Sequence, residues 1–170
     1  MRWNEIDSQV CSVAKTLAII GDRWTLLILR DCFLGVTRFS EFQQSLEVTK
    51  HRLSDRLNKL VEAGILKKQV YDSTYGRFEY KLTRKGLDLH PVLMTLVAWG
   101  DKWTTDEDGA PLEYVHRDCQ QTMKPELTCE HCHEAVGPFS TKVKLGPGIL
   151  KKHARGENIK GSQIHRKIKD

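Results

Sequence analysis

Residues 49–64 read TKHRLSDRLNKLVEAG. Leu53, Leu57, Leu60 and Val61 recur at helical spacing, so one stripe is apolar and faces a core. Thr49 stands where an N-cap belongs, and Gly64 where a helix ends. Off the stripe, the first turns carry Lys50, His51, Arg52, Ser54, Asp55 and Arg56. A helix that buries one side and points cations and short hydrogen-bonding groups outward suits a DNA major groove. Taken alone, such a helix is more simply a solvated face; its neighbours decide between the two readings.

The preceding segment, Phe39 to Leu46, places Phe39, Phe42 and Leu46 on one face of a short amphipathic helix. Glu47-Val48-Thr49 joins it to the basic helix. Two helices with a tight turn form a helix-turn-helix, although the turn lacks the glycine often found there. Downstream, Ile65 to Asp72 and Arg77 to Leu82 flank Ser73-Thr74-Tyr75-Gly76. Phe78, Tyr80 and Leu82 alternate with Arg77, Glu79 and Lys81, which is strand period, and Gly76 supplies a turn residue. A hairpin directly after a reading helix is a wing. Arg38 and Arg77 flank this region as candidate backbone or minor-groove contacts.

With these motifs in order, the chain resembles the HxlR-type winged helix-turn-helix transcriptional regulators. The resemblance runs from Cys11 to about Trp103. It rests on CSVAKTLAIIGDRWTLLILRDCFLG, RFSEFQQSL, LSDRLNKLVEAGIL, FEYKLTRKG and the helix containing Trp99-Gly100. Ser12 stands where the family usually has proline. The resemblance implies a mainly α fold with a small β-hairpin, dimers formed through the terminal helices, and double-stranded DNA as partner. It also implies that a short strand at 34–37 pairs with the wing. In some family members a cysteine at the position of Cys11 senses oxidants or electrophiles.

At 170 residues, the chain fits one domain plus an appendage. The expected boundaries are a winged domain at 1–104, a linker and small module at 105–137, and a basic, flexible tail at 138–170. The tail holds nine Lys or Arg against two acidic residues, which leaves residues 1–137 at −2 although the whole chain is +5. Basicity in the winged domain is therefore local to one helix and the wing. The tail suits either non-specific DNA affinity or solubility. No apolar run is long enough to span a bilayer, and the N-terminus lacks the pattern of a secretion signal. The expectation is a cytoplasmic, nucleoid-associated protein with five reduced or metal-bound cysteines.

Residues 1–10 suit a short helix or arm. Cys11-Ser12 opens a helix carrying Val13, Ala14, Leu17, Ala18 and Ile20, ended by Gly21. Asp22 caps the next helix, whose inward set is read as Trp24, Leu26, Leu27 and Ile28, with Trp24 as core. Thr83 caps a last long helix from Arg84 to about Thr104, kinked at Pro91. Its apolar residues cover more than one face, from Val92 and Leu93 round to Trp99 and Trp103. The surplus suits a two-fold dimer or packing under the first helix.

Two constellations carry chemistry. His116 and Cys119, then Cys129 and Cys132, form two pairs of i,i+3 ligands with nine residues between them. Such pairs resemble a zinc knuckle or ribbon, because a short turn lets two side chains meet one ion and two turns close a tetrahedron. His131 or His133 could replace His116, and the plain alternative is three reduced cysteines. Longer HxlR-type sequences carry a similar module, in which Gln120-Gln121 here replaces a common Gly-His. The second constellation is Cys11 at a helix N-terminus, a position that favours a negative sulfur. A buried structural cysteine is the alternative. Cys32, among Leu27, Ile28 and Phe33, reads as core.

No phosphate loop, nucleophile elbow or paired carboxylates occur, so an enzyme is not expected. Four closed ligands would leave a zinc no open position for substrate. The sequence reads as a sequence-specific regulator binding an inverted repeat as a homodimer, with an electrophile or oxidant as effector. The competing class is a protein-interaction module with a structural zinc site and no specific DNA reading.

Overall fold

The computed structural model describes residues 10–157. Expectations for the N-terminal arm at 1–9 and for the tail beyond 157 lie outside the described residues. The chain forms two compact units, Met1–Thr83 with Lys142–Asp170, and Arg84–Thr141. The split falls between Thr83 and Arg84, ahead of the boundary expected near residue 104.

In the first unit, the helices are α1 (Ser12–Ile20), α2 (Arg23–Phe33), α3 (Phe39–Leu46) and α4 (Lys50–Glu62). The strands are β1 (Leu66–Asp72) and β2 (Arg77–Leu82). Helix α2 packs on α1, α3 and α4, and α4 packs on β1. Ile28, Leu29, Phe42, Leu53, Leu57 and Leu60 are fully enclosed at this junction. Both Asp22 and Gly64 act as the sequence suggests. The Asp22 carboxylate accepts the N–H groups of Trp24 and Thr25 at 3.0 and 3.3 Å. Gly64 adopts φ +68°, Ile65 N–H reaches back to Leu60 O, and Gly64 N–H reaches Val61 O, a Schellman end.

The inward set of α2 differs from the expected one. Thr25, Ile28 and Leu29 are buried, while Trp24, Leu26 and Leu27 are half-buried. Asp31 is buried as well, so packing on three neighbours, not residue type, selects which side of this helix faces in. In the turn between α3 and α4, Glu47 takes a left-handed conformation, φ 48°, in place of the missing glycine. Thr49 occupies the N-cap position of α4 but makes no side-chain cap bond.

Strands β1 and β2 pair antiparallel from Leu66↔Leu82 to Val70↔Phe78, and a bulge then sets Asp72 opposite Arg77. Tyr80 is buried, whereas Phe78 is partly exposed, so the outer half of the hairpin runs beyond the core. The expected third strand is reduced to one bridge, Arg38↔Glu79, with Tyr80 N–H donating to Thr37 O at 2.8 Å.

The second unit holds α5 (Arg84–Leu87) and α6 (His90–Trp103). These replace the single kinked helix expected here. Pro91 lies in the first turn of α6. With no N–H, it cannot continue the ladder from α5 but is well tolerated at a helix start. Within the tail, α7 (Pro147–Ala154) is helical with no buried residue. Among the described residues, no helix is long and apolar enough to cross a membrane.

Candidate nucleic-acid interface

Helix α4 positions its outward groups by burying Leu53, Leu57 and Leu60 against the core. Thr49, Lys50, His51, Arg52 and Ser54 are all exposed. Lys50, His51 and Ser54 make no side-chain hydrogen bond or ion pair among the described residues. The Arg52 guanidinium lies 5.8 Å from the Trp24 ring centre, and Arg23 lies at the same distance. Trp24 is thus a half-buried platform under two arginines, a role beyond the core packing read from sequence.

Arg56 departs from its assignment as an exposed DNA contact. Its Nε lies 3.1 Å from the Asp22 carboxylate, with side chains 25% and 34% exposed. The two atoms are close but poorly aligned, so the contact is an ion pair rather than a linear hydrogen bond. Asp22 therefore caps α2 and holds α4 with the same oxygen. Asp55 pairs with Lys59 at 3.1 Å and with Arg56 at 3.5 Å, which occupies its carboxylate within α4.

Arg38 precedes α3, where Glu41 accepts the N–H groups of Arg38 and Thr37 at 3.0 and 3.2 Å. These bonds, that to Arg38 first, hold the Glu41 carboxyl below its ordinary range. The Arg38 guanidinium stacks over Tyr71 at 4.7 Å and Arg77 over Tyr75 at 5.1 Å. Arg38, Ser40, Tyr71, Arg77 and Phe78 line an open hollow of about 530 Å3 between the start of α3 and the wing. Glu79 is tied by Lys81 at 2.9 Å and Gln69 at 2.6 Å, which lower its carboxyl. At the tip, Asp72 accepts from Thr74 and Tyr75 N–H, and Gly76 turns the chain at φ +57°. The sequence places Tyr75 beside Arg77 at the hairpin tip, but it does not show Tyr71 beneath Arg38. The available signal was the mixing of aromatics and cations along the outer half of the hairpin.

Cys11 occupies the N-cap of α1, half-buried, with its carbonyl accepting from Lys15 N–H at 3.0 Å and no side-chain cap bond. Cys32 is enclosed. Burial, then the negative charge of Asp31, pushes its thiol up to about 12.

Residues 114–123 and 127–136 fold as the same loop twice, offset by thirteen residues. His116 N–H donates to Gln121 O and Gln120 N–H to His116 O; Cys129 N–H donates to Glu134 O and His133 N–H to Cys129 O. Val115 bridges Thr122 as Thr128 bridges Ala135. Gln120 and His133 both take φ 58°, where zinc knuckles usually place glycine. In the first loop, Cys119 Sγ lies 3.4 Å from His116 Nδ1. In the second, N–H groups of Cys132 and His131, then the Cys132 thiol, hold the Cys129 thiol below its ordinary range. The donor set of one imidazole and three sulfurs suits zinc. Each loop gathers its own pair. Among the described residues, however, no three His, Cys, Asp or Glu side chains meet in a metal-holding group.

Comparison with known proteins converges with this geometry. The HxlR-like helix-turn-helix family model matches residues 19–108. The uncharacterised helix-turn-helix-type transcriptional regulator Rv3095 of Mycobacterium tuberculosis is 38% identical over 143 residues, covering 84% of this chain and 90% of that one. The crystal structure of PA1607, described as a candidate transcription factor, superposes with a TM-score of 0.73 at 34% identity, covering 81% of this chain and 96% of its own. The redox regulator HypR, in its oxidised form, superposes with a TM-score of 0.52 at 30% identity, covering 56% of this chain and all of its own. A helix-turn-helix followed by a two-stranded wing, matched over more than half its length, makes this chain a member of the HxlR-like helix-turn-helix family of transcriptional regulators.

Proposed function

We propose that the chain is a sequence-specific DNA-binding regulator that reads an inverted repeat as a homodimer. One observation carries this. The second helix of a helix-turn-helix buries Leu53, Leu57 and Leu60 and leaves Lys50, His51, Arg52 and Ser54 exposed. In this reading α4 enters the major groove, while Arg38 and Arg77 on the wing side meet the backbone or minor groove. Arg56 and Asp55 orient α4 and do not read bases. The dimer reading is supported by the line Val92, Leu96, Trp99 and Trp103 on α6, whose tryptophans are 62% and 65% exposed. Selection of bound fragments from random DNA tests the whole reading. An enriched inverted repeat, with half-sites about one helical turn or a multiple apart, is expected. Equal binding to all fragments, or none, would instead favour the protein-interaction module.

Two further parts rest on separate observations. Structural zinc across His116, Cys119, Cys129 and Cys132 is supported by the repeated loop and its donors. One zinc per chain in reduced, purified protein is expected, and near-zero content overturns it. An electrophile or oxidant acting at Cys11 is supported by its position at the start of α1 and by the likeness to HypR. If Cys11→Ser loses DNA at the same oxidant dose as the parent, Cys11 is not the sensor.

A further inference from the structure

A cavity of about 480 Å3 lies within the unit Arg84–Thr141, between one side of α6 and the chain that follows it. Its walls are Met94, Val97 and Ala98 from α6 with Tyr114, Met123 and Pro125 from beyond. The size falls among small-molecule sites, and mostly apolar walls with few polar groups are their usual lining. Two thioethers add walls that adapt to ligand shape.

Helix α6 is apolar on two opposite sides. Residues 92, 96, 99 and 103 follow one line, which is exposed. Residues 94, 98 and 101 follow the other, and all three line the cavity, as does Thr105 just past the helix end. The charge on that second line is Asp101. It is half-buried, and its carboxylate makes no hydrogen bond or ion pair among the described residues. Lys102 and Lys124 also line the cavity, but both are exposed, and the Lys102 ammonium rests 4.9 Å from the Trp103 ring centre. Long lysine stems can coat a wall while their heads stay in water. Of the three charged lining residues, Asp101 is the half-buried one, and a carboxylate beside apolar walls with no protein partner is open to a cation.

We propose that this cavity binds a small amphipathic amine, its apolar body among Met94, Val97, Ala98 and Met123 and its ammonium against Asp101. The binding claim does not depend on DNA reading. Because the opposite line of α6 is the one assigned to the dimer, occupancy would give that assembly a ligand to respond to.

The test is calorimetric titration of the full chain with 4-phenylbutylamine, 4-phenylbutanol and 4-phenylbutyrate, which share a body and differ in the head. The amine is expected to bind roughly tenfold more tightly than the alcohol, with the butyrate weakest. Asp101→Asn should erase the amine's advantage and leave the alcohol unchanged. Ala98→Trp should fill the cavity and remove all binding, with circular dichroism confirming the fold; Met123→Trp serves if that variant unfolds. The proposal is overturned if no probe binds, if butyrate binds best, if Asp101→Asn keeps the amine preference, or if a folded, filled variant still binds the amine.

Discussion

Asp22 joins two elements through one oxygen, and removing it should cost more than an ordinary cap. Its Oδ1 accepts from Trp24 N–H at 3.0 Å and Thr25 N–H at 3.3 Å, and lies 3.1 Å from Arg56 Nε. Loss of a cap acceptor costs about 1 kcal/mol. The ion pair is partly solvated, so its own contribution is at most about 1 kcal/mol. Arg56 Nε is enclosed but makes no hydrogen bond to Asp22, so no separate orphaning cost is added. Asp22→Ala is therefore expected to destabilise the fold by about 1–2 kcal/mol, read as a fall of roughly 1 M in the urea midpoint. Asp22→Asn keeps an acceptor for the cap and loses only the charge, so about 1 kcal/mol is expected. A double-mutant cycle with Arg56→Ala should give a coupling near 1 kcal/mol. The reasoning fails if Asn costs as much as Ala, or if the cycle gives no coupling.

Glu41 has a lowered carboxyl in the folded state, so the stability it supplies is full above the ordinary value of 4.5 and is lost as pH falls through the folded value. Acid titration of the urea midpoint should show this loss beginning near pH 4.5, and Glu41→Gln should flatten it. Gly64 sits at φ +68° with open space where a Cβ would stand, so Gly64→Ala should cost about 1 kcal/mol through backbone conformation alone. In protein stripped of metal with a chelator, alkylation with iodoacetamide at pH 8 should modify exposed Cys119 and Cys132 well before Cys32, whose thiol is pushed up to about 12; rapid labelling of Cys32 would contradict its partial burial.

What the sequence made legible was what local spacing determines. Leu53, Leu57 and Leu60 faced inward, Asp22 capped, Gly64 closed α4, and the hairpin followed with its turn at Gly76. Contacts between distant residues were not legible. Nothing in 22–33 or 49–64 taken separately shows that Asp22 would claim Arg56, or that Trp24 would lie beneath Arg52. Leu29 rather than Leu26 or Leu27 entered the core because several leucines in a row leave the choice to the neighbouring helices. Pro91 reads from sequence as a kink in one long helix; it stands instead in the first turn of a second helix, a position that depends on where α5 stops. The left-handed backbone at Glu47, Gln120 and His133 hid the turn signals that glycine would have displayed. The ligand pairs were visible as spacing, and their placement as twin loops was not.

The central claim is that α4 reads bases through Lys50, His51 and Arg52 while Arg56 supports it from behind. The most direct measurement is affinity for a selected operator and for a scrambled duplex, at several salt concentrations, in the parent, Arg52→Ala and Arg56→Ala. Arg52→Ala is expected to weaken operator binding by about 1–3 kcal/mol and to narrow the gap to scrambled DNA. Arg56→Ala, measured where the protein is fully folded, is expected to keep that gap. If Arg52→Ala leaves the operator affinity and the gap untouched, or if Arg56→Ala alone closes the gap, α4 does not read DNA in the way described.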